Sequence, residues 1–575
     1  MHYTFRCPNV TDHYLHIELE IDDPGDGDLF LQLPAWRPGR YELQNFAKNV
    51  RSVRALRADG QPLPIKKIGK DRWHIRPQAE IYISIHYQYY ANQLDAGGTF
   101  IDNDQWYINP CTCCMYVEGR EHEEHEIALE IPQDFALAGG WSPTGPHSWS
   151  APNFDTLADC PFIVSNALKH RDYEVAGTKF NLWFMGWKDI PWDKIMPAFK
   201  AFTRNQIEAF GAMTVEEYHF LYEILPTKKY HGVEHLNSTV IVLGPEKEME
   251  SDEDLWENFL GVSSHELYHT WNIKSIRPAE MLPYDLTQEQ YFETGYVAEG
   301  VTTYKGDLWL AQSGVFNWNQ FKNTQEQNLQ RHSDTSGNLY TSVAESSFDL
   351  WLDGYALGVP NRKVSIYSEG ALISLMLDLI IRKNTEGQRG LEHVMRRLYH
   401  EFALHGKGYT TDDYRELCRL EGGGLVDTIF ARHVYGLGYY WDSLDPLLNA
   451  VGLKRVEVEH ETLAMNRFGI RAFKKGEVIV PTEIWPGSIA HKAGLEPDAE
   501  IIKVNGEILK DTLSDVLEKF IDEEIELTVR NAMKTKALKM KADERRFFPK
   551  QRIRKIQDAT DEQKSLFEKW CGLIF

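Results

Sequence analysis

Long hydrophobic runs are missing from this 575-residue chain. The longest apolar helical stretch, Ala371 to Ile381, is too short to span a bilayer and carries Asp378, so no membrane partner is expected. The first residues, Met1-His2-Tyr3-Thr4-Phe5-Arg6, lack the basic-then-apolar order of a signal peptide. Cysteine is scarce and odd in number: Cys7, Cys111, Cys113, Cys114, Cys160, Cys418 and Cys571 form neither a disulfide framework nor a paired zinc ribbon. The cluster Cys111-x-Cys113-Cys114 is therefore read as structural thiols without a metal, and a cytoplasmic location is expected. Positive charge is also short, with 62 Lys and Arg against 85 Asp and Glu and a net charge of −23, which argues against nucleic acid as a partner.

What is present is a His-Glu-x-x-His sequence, His265-Glu266-Leu267-Tyr268-His269. Leu255, Phe259 and Val262 recur at helical spacing and run on into Leu267, while Asp252 and Asp254 stand where a helix start favours acids. On such a helix His265 and His269 are one turn apart on one face, so both imidazoles can reach one Zn²⁺, with Glu266 beside them as a general base. A catalytic zinc needs a third protein ligand. No third histidine follows at short spacing, and Glu299, in Ala298-Glu299-Gly300, is the best candidate, with Glu289 and Glu293 as competitors. A second helix returning antiparallel to the first would bring Glu299 back to the histidines.

Four domains are expected. Residues 1–168 read as an antiparallel β domain, in which Ile81, Ile83, Ile85, Tyr87 and Tyr89 alternate. Residues 169–450 read as a catalytic domain, with an α+β lobe over 169–245 and a helical lobe over 246–450. Residues 455–545 form a separate strand–helix–strand unit, and 546–575 a charged tail ending in a helix.

Several segments together resemble the PDZ-containing glycyl aminopeptidases, a family of gluzincin zinc peptidases. They are His265–Asn272, Ala298–Tyr304, Pro34-Ala35-Trp36-Arg37-Pro38-Gly39-Arg40-Tyr41, Tyr230-His231-Gly232-Val233-Glu234-His235 and Tyr367-Ser368-Glu369-Gly370. The resemblance implies a multidomain protein with an N-terminal β domain, a thermolysin-like catalytic domain and a C-terminal PDZ domain. It implies one Zn²⁺ held by His265, His269 and Glu299, with Glu266 as general base and Tyr367 donating to the oxyanion. By position, Glu234 would hold the free α-ammonium of a peptide substrate, with Gly232 lining the substrate's path. His231 replaces the segment's usual first glycine, and Glu369 stands where the family carries lysine. The PDZ reading rests on Arg467-Phe468-Gly469-Ile470, a loop of the kind that takes up a peptide's terminal carboxylate, and a peptide C-terminus is its candidate ligand.

The expected activity is removal of an N-terminal residue, glycine or alanine, from peptides with a free amine. Two alternatives stay open: a zinc endopeptidase, if Glu234 does not face the site, and a PDZ peptide-binding protein with a vestigial metal site.

Overall fold

The structure, a computed structural model, describes all residues except 79, 146, 356, 357, 510, 511, 521 and 522. The N-terminal region is rich in β-structure. Its largest sheet has eight strands, in which Tyr14–Asp22 and Tyr82–Tyr90 pair antiparallel along their whole length. Ile83, Ile85, Tyr87 and Tyr89 point into the core, as period-two alternation requires. Ile81 does not share that face. It lies outside the strand and is 85% exposed. One pairing departs from the antiparallel expectation, since His2–Arg6 runs parallel to His125–Glu130. A parallel pair needs a long connection between its strands, and nearly the whole domain separates these two.

A five-stranded mixed sheet follows, in the order Lys169–Val175, Thr178–Met185, Glu217–Ile224, Ser238–Gly244, Lys229–Glu234. The amphipathic helix Trp192–Phe210 makes the crossover between the parallel strands Thr178–Met185 and Glu217–Ile224. Lys229–Glu234 is an edge strand, and its last residue is Glu234. Helices dominate from Glu253 onward, and the most buried, Ile366–Asn384, runs through the centre of the helical body.

Beyond it, Ile470–Lys475, Val478–Ile484, Glu500–Val504, Ile525–Arg530 and Thr535–Met540 form a sheet with two short helices and a hydrophobic core of their own. The chain enters and leaves this unit side by side, because Leu453–Val458 pairs antiparallel with Lys550–Lys555. The final helix, Asp561–Cys571, buries Phe567 and Trp570 in the core of the helical body, so the last residues are packed against it. No helix among the described residues is long and apolar enough to cross a membrane.

Candidate active site

Helix Glu253–Tyr268 begins at Asp252, whose side chain accepts from the Leu255 N–H at 3.0 Å. Its apolar face is buried through Phe259, Val262 and Leu267. Gln206 donates to the Ser264 carbonyl at 3.0 Å, and Ser264 Oγ donates to the Gly306 carbonyl at 2.8 Å. Gly306 lets helix Thr302–Gln312 approach this closely, since a Cβ there would lie 3.2 Å from His265 Cα. Side chains that are one turn apart in sequence are thereby held against a second helix.

His265 Nε2 and His269 Nε2 lie 3.0 Å apart. Glu299 Oε2 is 3.4 Å from His269 Nε2 and 3.7 Å from His265 Nε2. Ligands about 2.1 Å from one tetrahedral ion stand about 3.4 Å from one another, so the three atoms have the spacing of a shared metal. His269 Nδ1 faces the Asn272 carbonyl at 2.8 Å, which places a proton on Nδ1 and turns Nε2 toward Glu299 and His265. Among the described residues, neither Glu289 nor Glu293 belongs to a cluster of three donors within metal reach.

Glu299 does not sit on an ordinary α-helix. It lies in a π-helical segment, Tyr296–Val301, that runs into helix Thr302–Gln312. Asn272 donates from Nδ2 to the carbonyls of Val297 at 2.9 Å and Ala298 at 3.1 Å, and to Thr302 Oγ1 at 3.0 Å. One amide thus ties the loop after His269 to the segment carrying Glu299. On the other side, a Cβ at Gly300 would lie 2.3 Å from Gly370 Cα, so two glycines permit the crossing with helix Ile366–Asn384. That crossing brings Tyr367, the second residue of the helix, to the same cleft.

Burial, followed by the nearby Glu299 carboxylate, raises the Tyr367 hydroxyl well above its ordinary pKa, so it stays a donor. Glu369 turns elsewhere and accepts from His332 Nδ1 at 2.8 Å.

Glu234, Glu266 and His269 also converge, with one ligand atom of each within 4.8 Å of the others. Glu234 Oε1 and Glu266 Oε2 are buried and have no hydrogen-bond partner. Burial, and then repulsion from Glu234 and Glu299, raises the Glu266 carboxyl well above its usual range despite the opposing charge of His269. Glu299 goes the other way: burial is outweighed by His269 and by the hydrogen bonds of both histidines, which hold its carboxyl at about 2. Three buried carboxylates facing two imidazoles are short of positive charge. A dication among the histidines and Glu299 and an ammonium beside Glu234 are the groups that this deficit fits.

Gly232 and Gly39 shape the wall. A Cβ on Gly232 would stand 2.2 Å from Glu266 Oε1, and one on Gly39, whose φ is +81°, would stand 2.6 Å from Glu234 Oε2. His231 accepts from the Ala96 N–H at 3.2 Å, and burial with the neighbouring Arg37 charge pushes its pKa down to about 4, so it is a neutral acceptor. The whole cleft has a volume of about 650 Å³. The sequence reading assigned no role to Asn272 or Gly39. Asn272 was visible as the third residue after His269, but its partners lie 25 to 30 residues further on.

Residues 2–166 match the peptidase M61 N-terminal domain and residues 258–373 match the M61 glycyl aminopeptidase domain. The chain belongs to the M61 glycyl aminopeptidase family. That family is one of aminopeptidases, and His265, His269 and Glu299 are a donor set that fits a metal ion. An aminopeptidase N family protein from Idiomarina loihiensis is similar to this M61 peptidase over 99% of both chains, at 26% identity and a TM-score of 0.90. An M1 zinc metallopeptidase from Deinococcus radiodurans aligns with 76% of this chain and 94% of its own, at 13% identity and a TM-score of 0.47. Among curated proteins no relative matches.

Proposed function

We propose that this M61 peptidase removes the N-terminal residue, glycine or alanine, from peptides with a free amine, using one zinc per chain. The observation that carries this reading is the buried, unpartnered carboxylate oxygen of Glu234 beside Glu266 and His269. A carboxylate there suits an α-ammonium, and fixing the ammonium limits cleavage to the first peptide bond. His265, His269 and Glu299 would hold the zinc, which when bound supplies Lewis acidity toward a water and the scissile carbonyl. Glu266 takes the proton from the attacking water and delivers it to the leaving amine. Tyr367 donates its O–H to the carbonyl oxygen as negative charge develops there. Gly232 keeps the space in front of Glu266 open. The preference for glycine is supported by the family description alone.

We read residues 455–545 as a PDZ domain. Support comes from Gly469, at φ +71°, which ends the segment Ala464–Phe468 and leads into strand Ile470–Lys475, and from the two short helices beside the sheet. A peptide C-terminus is the candidate ligand of that loop. Seven free cysteines fit a reducing, cytoplasmic setting.

The test is amino-acid release from Gly-Ala-Ala, free and N-acetylated, by the zinc-loaded enzyme and its Glu266→Gln variant. Release of glycine from the free peptide alone, abolished in the variant, is the expected result. Equal cutting of both peptides would make the protein an endopeptidase and remove Glu234 from its role.

A further inference from the structure

Behind the wall that carries Glu234 lies a second chamber, of about 180 Å³, between the N-terminal β region and the loop that follows His269. A single water needs about 10–15 Å³ by this measure, so the space holds several waters or a compact ligand. Arg37, His235, Lys274 and Arg277 line it, together with Asp155 and Asp159.

Three of these groups match one another. Lys274 Nζ is 2.7 Å from Asp159 Oδ1, which also accepts from His235 Nδ1 at 3.0 Å, while Asp159 Oδ2 accepts from the Leu236 N–H at 2.9 Å. The two arginines are different. Arg37 is 2% exposed, and among the described residues its side chain makes one hydrogen bond, from Nη1 to the Pro38 carbonyl at 3.1 Å, while its Nε has no partner. Arg277 stacks over the Tyr284 ring at 3.9 Å and donates to the Lys274 carbonyl at 3.3 Å, and its Nε is likewise unpartnered. Neither guanidinium forms an ion pair among the described residues. His235 Nε2 is a third buried polar atom without a partner. Asp155, on which the Arg277 charge acts, is the remaining carboxylate among the described lining residues, so two guanidinium groups without an ion pair leave this partly enclosed chamber with an excess of positive charge, which burial of Arg37 makes costly until an anion joins it.

We propose that this chamber is a carboxylate-binding subsite, separate from the metal cleft, and that its occupant braces the wall holding Glu234. Guanidinium groups present planar pairs of donors matched to a carboxylate. The wall is shared: Arg37 and Pro38 face the chamber while Gly39 abuts Glu234, and His235 faces the chamber while Glu234 faces the cleft. An anion bridging Arg37 and Arg277 would tie the Arg37–Gly39 segment, which abuts Glu234, to the loop that follows His269. The binding site stands by itself, whereas its effect on catalysis rests on Glu234 as the amine anchor.

The probes are acetate and inorganic phosphate, added at constant ionic strength to the zinc-loaded full chain, with binding followed by calorimetry and KM measured on a neutral glycyl anilide. Acetate should bind the native enzyme and lower KM. Arg277→Ala, at a partly buried position, should weaken acetate binding about tenfold or more and make KM insensitive to it, with the unchanged circular dichroism spectrum and zinc content of the variant as the check on its fold. Arg37→Lys, which keeps the charge but loses the planar donors, should weaken it as well. Acetate binding that survives both substitutions but disappears with the zinc would put the anion on the metal and overturn the proposal. So would phosphate binding without acetate binding, or binding with no change in KM. If the anilide is not cut at all, the aminopeptidase reading fails while the calorimetric result still decides the subsite.

Discussion

Gly39 and Glu234 meet across the boundary between the N-terminal β region and the catalytic sheet, so closely that a methyl group on Gly39 would stand 2.6 Å from a carboxylate oxygen of Glu234. The glycine also holds φ at +81°, where L side chains are strained. The Glu234 end of the cleft is therefore completed by a segment that lies far from it in sequence. Gly39→Ala should push Glu234 off its position. The expected outcome is a KM for free-amine peptides raised about tenfold or more, with zinc content unchanged, read from steady-state kinetics and metal analysis.

Asn272 ties the chain after His269 to the carbonyls of Val297 and Ala298 and to Thr302. Asn272→Ala should loosen Glu299 relative to the two histidines. Zinc affinity, measured by competition with a chelator, should fall roughly 10- to 100-fold, as is usual for loss of a group that orients metal ligands. Unchanged affinity would mean that the Gly300–Gly370 crossing alone holds Glu299.

Tyr367 faces the cleft from the first turn of its helix, with its hydroxyl kept protonated by burial and by Glu299. Tyr367→Phe should lower kcat about 10²- to 10³-fold while KM and bound zinc stay close to the native values. A drop in KM affinity with kcat retained would assign the hydroxyl to substrate binding instead.

Glu223, on strand Glu217–Ile224, is buried beneath the N-terminal region and accepts from Gln105 Nε2 at 3.2 Å. Burial raises its carboxyl to about 8. A folded-state pKa above the unfolded one means that the native state keeps a proton which the unfolded chain releases. The stability this contributes is full below the ordinary carboxylate range and is lost as pH rises toward 8. Glu223→Gln, neutral at every pH, should raise the apparent Tm by about 3 °C or more at pH 9 and change it little near pH 4. Calorimetry at the two pH values checks the sign.

Local pattern carried much of this molecule. The alternation through Ile83, Ile85, Tyr87 and Tyr89, and the helical spacing from Leu255 to Leu267, depend only on near neighbours along the chain, and both appear as read. The same spacing put His265 and His269 on one face before any fold was known. Ile81 shows the limit of such patterns, since an apolar residue one step before a strand continues the alternation in sequence but has no core to enter. The π-helical segment at Glu299 was not legible either, because its cause is an amide 27 residues away and a glycine crossing with a helix more than 60 residues on.

By itself, then, the sequence determined the chemistry on offer: two imidazoles and a glutamate on one helical turn, a second glutamate thirty residues on, and no third histidine to rival it. Its charge and cysteine content argued against a nucleic-acid partner and a disulfide framework. Tertiary structure alone decided that Glu234 ends an edge strand beside that helix, that Gly39 arrives from the N-terminal β region to hold it, and that Arg37 and Arg277 share a chamber without an ion-pair partner among the described residues. Propensity and periodicity act over a turn or a strand, whereas these three relationships are set by how whole sheets and helices pack, through contacts that span tens to hundreds of residues.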